Sequence, residues 1–323
     1  MSLMHIDWDS IYGNSFNKVR VLVTGGAGFI GSHLSEVLLK LGADVIVLDD
    51  LSGGFVKNLS FGAVDFTMAS ILDKDILLRC AHGCKYIFHQ AALGSVPRSI
   101  NHPLLYQDVN VNGTLNVLEA ARQSNVKRVI FASSSSVYGD TEILPKTETI
   151  PPQPKSPYAA NKASCEALMK AYSCSYGLDT ASLRYFNVFG PRQNANTAYA
   201  AVIASFSKAI SENKSPIIFG DGTQSRDFTF VYNVVHANLL AALCKDDIHG
   251  QYMNIACGKR ITINELADIM IDILGKNGLK PSYSKDRNGD VKHSHADIFR
   301  AKKIIGYEPL VSFEDGIKST VSS

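Results

Sequence analysis

Between Val19 and Ala256, short apolar runs alternate with stretches of helical periodicity, and this alternation restricts the fold more than any other feature. Val19–Thr24, Val45–Leu48, Val64–Met68, Tyr86–His89, Val129–Ser133, Thr180–Arg184 and Tyr252–Ala256 each read as a strand. Helical patterns lie between most of them, notably Leu104–Ser124, Tyr158–Tyr176 and Asn233–Cys244. The strands are continuous apolar runs, as expected when both faces of a sheet are covered, so the pattern predicts an α/β fold with a parallel sheet between helical layers. The rhythm breaks after Arg184, where Pro191–Thr197 and Gly220-Asp221-Gly222 are polar and turn-rich. We therefore expect a large sheet domain (residues 1–187 plus 233–260) and a smaller α/β domain (188–232 plus 261–323), with the chain crossing between them more than once.

Apolar residues make up 46% and charged residues 19% of the 323, enough for a packed core. Lys plus Arg (32) nearly balance Asp plus Glu (30), so no basic field is available for nucleic acid or a membrane surface. No apolar stretch has the length of a membrane helix, and residues 1–7 lack a signal-peptide layout, which predicts a cytoplasmic protein. The six cysteines form no CxxC pair and read as buried thiols. His293 and His295 have no accompanying ligand cluster, so no metal is expected. Residues 1–17 carry Trp8, Tyr12 and Phe16 in a polar extension to which the sequence assigns no role.

The first strand runs into Thr24-Gly25-Gly26-Ala27-Gly28-Phe29-Ile30-Gly31, which opens a helix. Glycines there permit a tight turn and let a pyrophosphate approach the backbone, while the helix start offers free N–H groups. The second strand ends in Asp49-Asp50, where a carboxylate can accept from ribose hydroxyls and repel an extra phosphate. Turn and acid together predict a Rossmann-type, doubly wound sheet that binds NAD in preference to NADP.

Tyr158 and Lys162 stand four apart on a predicted helix and share one face. An ammonium beside the phenol is expected to lower its pKa toward working pH. Ser133-Ser134-Ser135-Ser136-Val137-Tyr138-Gly139 follows a strand end, where open sheets hold their ligands.

These motifs, with LRYFNVFGPRQ, FGDGTQSRDF and RNGD, make the chain from Val19 to Leu310 resemble the extended short-chain dehydrogenase/reductase family of nucleotide-sugar-modifying enzymes. The resemblance implies a catalytic triad of Ser134, Tyr158 and Lys162. It implies that Gly25, Gly28, Phe29, Ile30, Gly31, Asp49, Asp50, Ile71, Gln90, Ala91, Ala92 and Phe186 join Tyr158 and Lys162 around the cofactor, with Phe186 beside the nicotinamide and Ile71 at the adenine end. Asn187, Arg226 and Arg287 would hold the substrate diphosphate, and Phe219 and Asp290 would lie by the uridine. Ser135, Ser136, Ala201 and Val202 would complete the substrate pocket.

Members of this family first oxidise carbon four of the sugar. Dehydratases then use Asp-Glu just after the triad hydroxyl, and decarboxylases of UDP-glucuronate usually keep a Glu in that stretch. Here Ser135-Ser136 takes its place. Return of the hydride to the other face of the sugar, a 4-epimerisation, is then the expected outcome. Ala92-Leu93-Gly94-Ser95-Val96-Pro97-Arg98-Ser99 resembles the UDP-N-acetylglucosamine 4-epimerases, and Ser294 stands where simple UDP-galactose epimerases carry a bulky Tyr. That small residue would free space for an N-acetyl group, with Gly94 and Ser95 lining it. The expected substrates are UDP-GlcNAc and UDP-GalNAc, with UDP-Glc and UDP-Gal at lower efficiency. The alternatives are a UDP-glucose or UDP-glucuronate 4-epimerase, or a UDP-sugar decarboxylase or dehydratase. The family also implies a homodimer formed through a four-helix bundle of Leu104–Ser124 and Tyr158–Tyr176.

Overall fold

The computed structural model describes residues 6–59, 62–193, 202–285 and 292–321. Seven parallel strands form the central sheet: β1 (Arg20–Thr24), β2 (Asp44–Asp49), β3 (Asp65–Met68), β4 (Tyr86–His89), β5 (Arg128–Ser134), β6 (Asp179–Tyr185) and β7 (Gln251–Ile255). Each lies within one residue of its expected ends. Their order is β7-β6-β5-β4-β1-β2-β3. The chain steps outward from β1 to β3 and then crosses back to β4, so the strand order reverses between β1 and β4. Open α/β sheets bind ligands at such a reversal, beyond the carboxyl ends of the strands.

The helices that matter for the site are α1 (Trp8–Tyr12), α2 (Phe29–Lys40), α3 (Lys74–Ala81), α4 (Gly113–Gln123), α5 (Pro157–Tyr176) and α6 (Val231–Leu243). One apolar cluster packs α2 and α6 on one face of the sheet, and a second packs α3, α4 and α5 on the other. The sheet therefore has the two-sided cover that its continuous apolar strands require. Arg128, at the start of β5, is fully buried, pairs with Asp179, and donates to the carbonyls of Ala241, Cys244 and Asp246. It thereby satisfies carbonyls that the end of α6 leaves without helical partners.

The expected helix Leu104–Ser124 runs without a gap but changes its winding. A short turn, Pro103–Tyr106, passes into a π-helical segment, Gln107–Asn112, before α4 begins. The cause is Asn110, which is buried and turned toward the loop after β4. Its side chain bonds both the N–H and the C=O of Leu93, and its carbonyl accepts from Thr114 Oγ1 and Cys165 Sγ. A wider helical turn frees that carbonyl for side-chain donors.

The N-terminal segment belongs to the core. Trp8 stacks on Tyr12 and meets Tyr232 edge-on, the Tyr12 hydroxyl lies 2.6 Å from His236 Nδ1, and Phe16 packs against Tyr86. All three aromatic residues are buried against α6 and β4.

The residues after β6 form small paired strands and a third apolar cluster. Val188–Phe189 pairs with Thr229–Phe230, and Ser225–Arg226 pairs with Ile261–Thr262. Among the described residues no helix is long and apolar enough to cross a membrane.

Candidate active site

The turn after β1 has the shape its glycines predict. Gly25 sits at φ +69°, a left-handed conformation, and a Cβ there would stand 2.6 Å from the backbone nitrogen of Ala91. A Cβ on Gly31 would run into the carbonyl of Gly25. Gly28 occupies the N-cap of α2 and has no side chain to occupy the N–H groups of its first turn. Such a cradle accepts a pyrophosphate at bonding distance from the backbone. Phe29 and Ile30 open the helix, and Gln90 and Ala91, just after β4, stand against Gly25; Ala92 follows them in the chain.

The two acidic residues after β2 separate in role. Asp49 is buried, and its carboxylate accepts from Ala27 N at 2.9 Å and Leu51 N at 2.8 Å. Burial holds its pKa above the usual carboxylate value, against the pull of those bonds. Asp50 is exposed and accepts from Ser52 N in a local turn. Ile71 is buried against Gly113, and its carbonyl accepts from Asn116. The Gln90 side chain bonds Tyr185 and Asn238 inside the fold.

The predicted triad is assembled at the end of β5. Ser156 caps α5 through Ala159 N, which sets Tyr158 in the first turn and Lys162 one turn on. Tyr158 N also donates to Ser99 Oγ at 3.2 Å. Among its neighbours, the Ser134 hydroxyl is the group that pulls the Tyr158 phenol toward ionisation. Lys162 Nζ lies 5.8 Å from the Tyr158 ring centroid and donates to Ala132 O at 2.6 Å.

This corrects the electrostatic expectation. Burial raises the Tyr158 pKa, and the group that pulls it back is Ser134, not Lys162. Lys162 is itself brought down to about 8 by burial. Its side-chain hydrogen bond goes to a backbone carbonyl at the strand end. Ser135 and Ser136 continue as a 3₁₀ turn, with Ser136 N donating to Ser134 Oγ. Phe186 is fully buried in a cluster with Val137, Tyr138, Ile150, Ala256 and Ala296.

Among the residues after β6 lies a cavity of about 200 Å³ whose lining includes Asn187, Val202, Phe219, Gln224, Arg226 and Phe228. Asn187 adopts φ +35° and donates to Asp227 O at 3.0 Å and to Ser294 Oγ at 3.4 Å. Ser294 is buried, its N–H bonded to Ser225 O. Arg226 donates to the carbonyls of Ser225 and Lys292. Ser95 accepts from Arg98 N as the cap of the helix Val96–Asn101, and Gly94 before it faces open space. His293 bonds Ser225 Oγ and His295 bonds Gly258 O, so the two histidines serve different neighbours. Ala201, Arg287 and Asp290 lie outside the described residues.

Four residues at this site escaped the reading of the sequence. Ser99 anchors the N–H of Tyr158. Asn110 holds the loop after β4. Glu166 extends the Tyr158/Lys162 stripe by another turn. Asp227 accepts from Cys257 N and Ala296 N, tying three segments together. Spacing alone could have found Glu166, four residues after Lys162. The others act through backbone groups and leave no periodic signal.

Residues 21–256 match the model of the family described as NAD dependent epimerase/dehydratase. The chain belongs to this family. Its relatives include a UDP-glucose 4-epimerase of Mycolicibacterium smegmatis, 38% identical over 94% of this chain and 97% of that one. A UDP-N-acetylglucosamine 4-epimerase from Methanobrevibacter ruminantium, solved in complex with UDP-N-acetylmuramic acid, superposes with a TM-score of 0.90 at 42% identity, covering 95% of this chain and 98% of that one. A UDP-glucose 4-epimerase from Thermotoga maritima, solved with UDP-glucose, gives 0.88 at 40% identity, with coverage of 94% and 98%. The epimerase family is thus matched over nearly the whole chain, in sequence and in fold, and NAD is its cofactor.

Proposed function

We propose that this UDP-sugar epimerase interconverts UDP-GlcNAc and UDP-GalNAc at carbon four, with UDP-Glc and UDP-Gal as slower substrates. The observation that carries the reaction type is the triad itself. Tyr158 and Lys162 share the face of α5 that meets the end of β5, where Ser134 lies, and serines instead of carboxylates follow Ser134. The glycine turn and Asp49 fit the pyrophosphate and adenosine ribose of NAD. Ile71 would lie toward its adenine, and Gln90–Ala92 and Phe186 toward its nicotinamide half.

When bound, NAD supplies a hydride acceptor that returns the hydride in the same turnover. Tyr158 Oη, as phenolate, takes the proton of the sugar 4-hydroxyl, directly or through Ser134 Oγ, and later gives it back. Lys162 would favour the phenolate once the ligands are in place. Asn187, Arg226 and Arg287 would grip the diphosphate, and Phe219 and Asp290 the uridine, so that the sugar can turn over while its anchor stays fixed. Residues 1–187 plus 233–260 would carry the cofactor, and residues 188–232 plus 261–323 the UDP-sugar.

The sugar preference rests on Ser294. It is small, buried, and bonded to Asn187, which lines the cavity; in this reading a larger side chain would take the space an acetamido group needs. Exposed Ile100, Leu104, Leu105 and Leu115, with Tyr176 on α5, support a homodimer through a four-helix bundle, and the compartment we expect is the cytoplasm.

Proton NMR of the purified protein with UDP-GlcNAc, and separately with UDP-Glc, tests the proposal. The expected result is conversion of both, faster for the N-acetylated sugar, with no NADH accumulating. Release of carbon dioxide from UDP-glucuronate, loss of the 6-hydroxyl, or faster turnover of UDP-Glc would overturn it.

A further inference from the structure

Below the triad, α5 carries a third polar residue on the same stripe. Tyr158, Lys162 and Glu166 follow at four-residue steps, so all three face β5. Two consecutive residues at the end of that strand are held by two of them: the Ala132 carbonyl accepts from Lys162, and the Ser133 hydroxyl donates to Glu166 Oε1 at 2.5 Å. The next residue, Ser134, is the group that favours ionisation of the Tyr158 phenol.

Glu166 is fixed in turn. Arg184 on β6 grips both of its carboxylate oxygens, Nε to Oε1 at 2.8 Å and Nη2 to Oε2 at 2.7 Å. The guanidinium lies 3.8 Å from the ring centroid of Tyr252 and 4.6 Å from that of Tyr138. Ser133, Glu166 and Arg184 are all buried. A bidentate pair held this way cannot slide, so the hydrogen bond it offers Ser133 is a fixed reference point.

The ion pair alone would be enough to join α5 to β6. The Ser133 bond adds a tie to the residue directly before the triad serine. We propose that Ser133 and Glu166 are positioning residues, which set the Ser134 hydroxyl against the Tyr158 phenol. The inference rests on the reaction read above, because it matters only if the Tyr158 proton is the one that moves. Ser134 is the group that favours ionisation of the buried phenol. Loss of the tie therefore leaves Tyr158 harder to deprotonate. Glu166 also helps keep Lys162 protonated against its burial.

The test uses the full-length holoenzyme with Ser133→Ala, Ser133→Thr and Glu166→Gln. Two readouts are taken: kcat and KM against pH, and ultraviolet titration of tyrosinate with Tyr158→Phe subtracted. Ser133→Ala should lower kcat about tenfold, in keeping with the cost of a small misplacement of reacting groups, and leave KM within twofold. It should also move both the acid limb of kcat and the Tyr158 titration to higher pH. Ser133→Thr, which keeps the hydroxyl, should restore both. If Ser133→Ala does not fold, Glu166→Gln carries the same expectations. A variant with lowered melting temperature but wild-type kcat and titration midpoint overturns the proposal, because the tie is then structural only. If wild-type enzyme fails to epimerise, the reaction assignment falls, while the tyrosinate titration still decides the positioning.

Discussion

Asp49 reaches back from the end of β2 to accept a hydrogen bond from Ala27 N, 2.9 Å away, inside the turn that follows β1. The carboxylate that faces the cofactor ribose in our reading therefore also shapes the loop that faces the pyrophosphate. Asp49→Ala leaves the N–H groups of Ala27 and Leu51 without this acceptor. NAD affinity should fall ten- to a hundredfold, about 1.4–2.8 kcal/mol, when titrated calorimetrically against cofactor-free protein. Asp50→Ala, on an exposed side chain, should bind within about twofold of wild type, because its partner Ser52 N is open to water. Equal losses in the two variants would refute this division.

Tyr158→Phe should lower kcat by about 10²–10⁴-fold and leave NAD affinity within a few-fold. Burial places the Tyr158 pKa above its ordinary value, so in wild type the base form is scarce at neutral pH and kcat/KM should climb as the pH rises. The variant should lose that climb. A residual rate with the same pH dependence as wild type would assign the base elsewhere.

Asp227 gives a stability signal of opposite sense to most carboxylates. Burial raises its pKa to about 6, and its partners are the backbone N–H groups of Cys257 and Ala296. The folded pKa lies above the unfolded value, so the folded chain holds this proton more tightly. Its contribution to stability is present below about pH 4 and is lost as the pH rises to about 6, by an amount on the order of 3 kcal/mol. Asp227→Asn removes the titration. The stability of the variant relative to wild type, from urea melts at pH 4 to 6.5, should improve by about 2–3 kcal/mol across that range. A difference flat with pH would mean that Asp227 does not titrate there.

Ser294→Tyr should depress turnover of UDP-GlcNAc at least tenfold more than that of UDP-Gal, because the added ring competes for the space we assign to the acetamido group. Parallel losses on both sugars would remove the pocket argument.

Trp8→Ala should destabilise the protein by about 3 kcal/mol, the cost of deleting a large buried aromatic side chain. Chemical denaturation reads it directly, and a change below about 0.5 kcal/mol would mean that α1 docks without contributing to stability.

What the sequence disclosed and what it hid follow from the physics of each residue. The seven strands were legible because residues such as Val21–Val23 and Val129–Phe131 are apolar on both faces, a signal that needs no knowledge of the neighbours. Gly25 and Gly31 were legible because only glycine tolerates those approaches. Trp8, Tyr12 and Phe16 gave no sign of their burial, because polar residues separate them and their partners are remote: Tyr232 and His236 lie more than two hundred positions from Trp8 and Tyr12, and Tyr86 lies seventy from Phe16. The π-helical turn was hidden for a related reason. Asn110 is an ordinary surface residue by type, and only its contact with Leu93 draws it inward. The pull of Lys162 on Tyr158 was misjudged, since four-residue spacing fixes a shared face and says nothing about which group the ammonium will bond.

The segment around Lys146 runs beside residues 295–297, its N–H bonded to His295 O and its carbonyl accepting from Asp297 N, and Asn254 at the end of β7 bonds both strips. Ser294 and the Ser134–Tyr138 turn thus hang from one woven ribbon, although they are far apart along the chain. Selectivity and rate then become hard to inherit separately. A grafted C-terminal segment would bring its own weave with it, and chimaeras exchanged as whole ribbons should keep working where those cut through it stall.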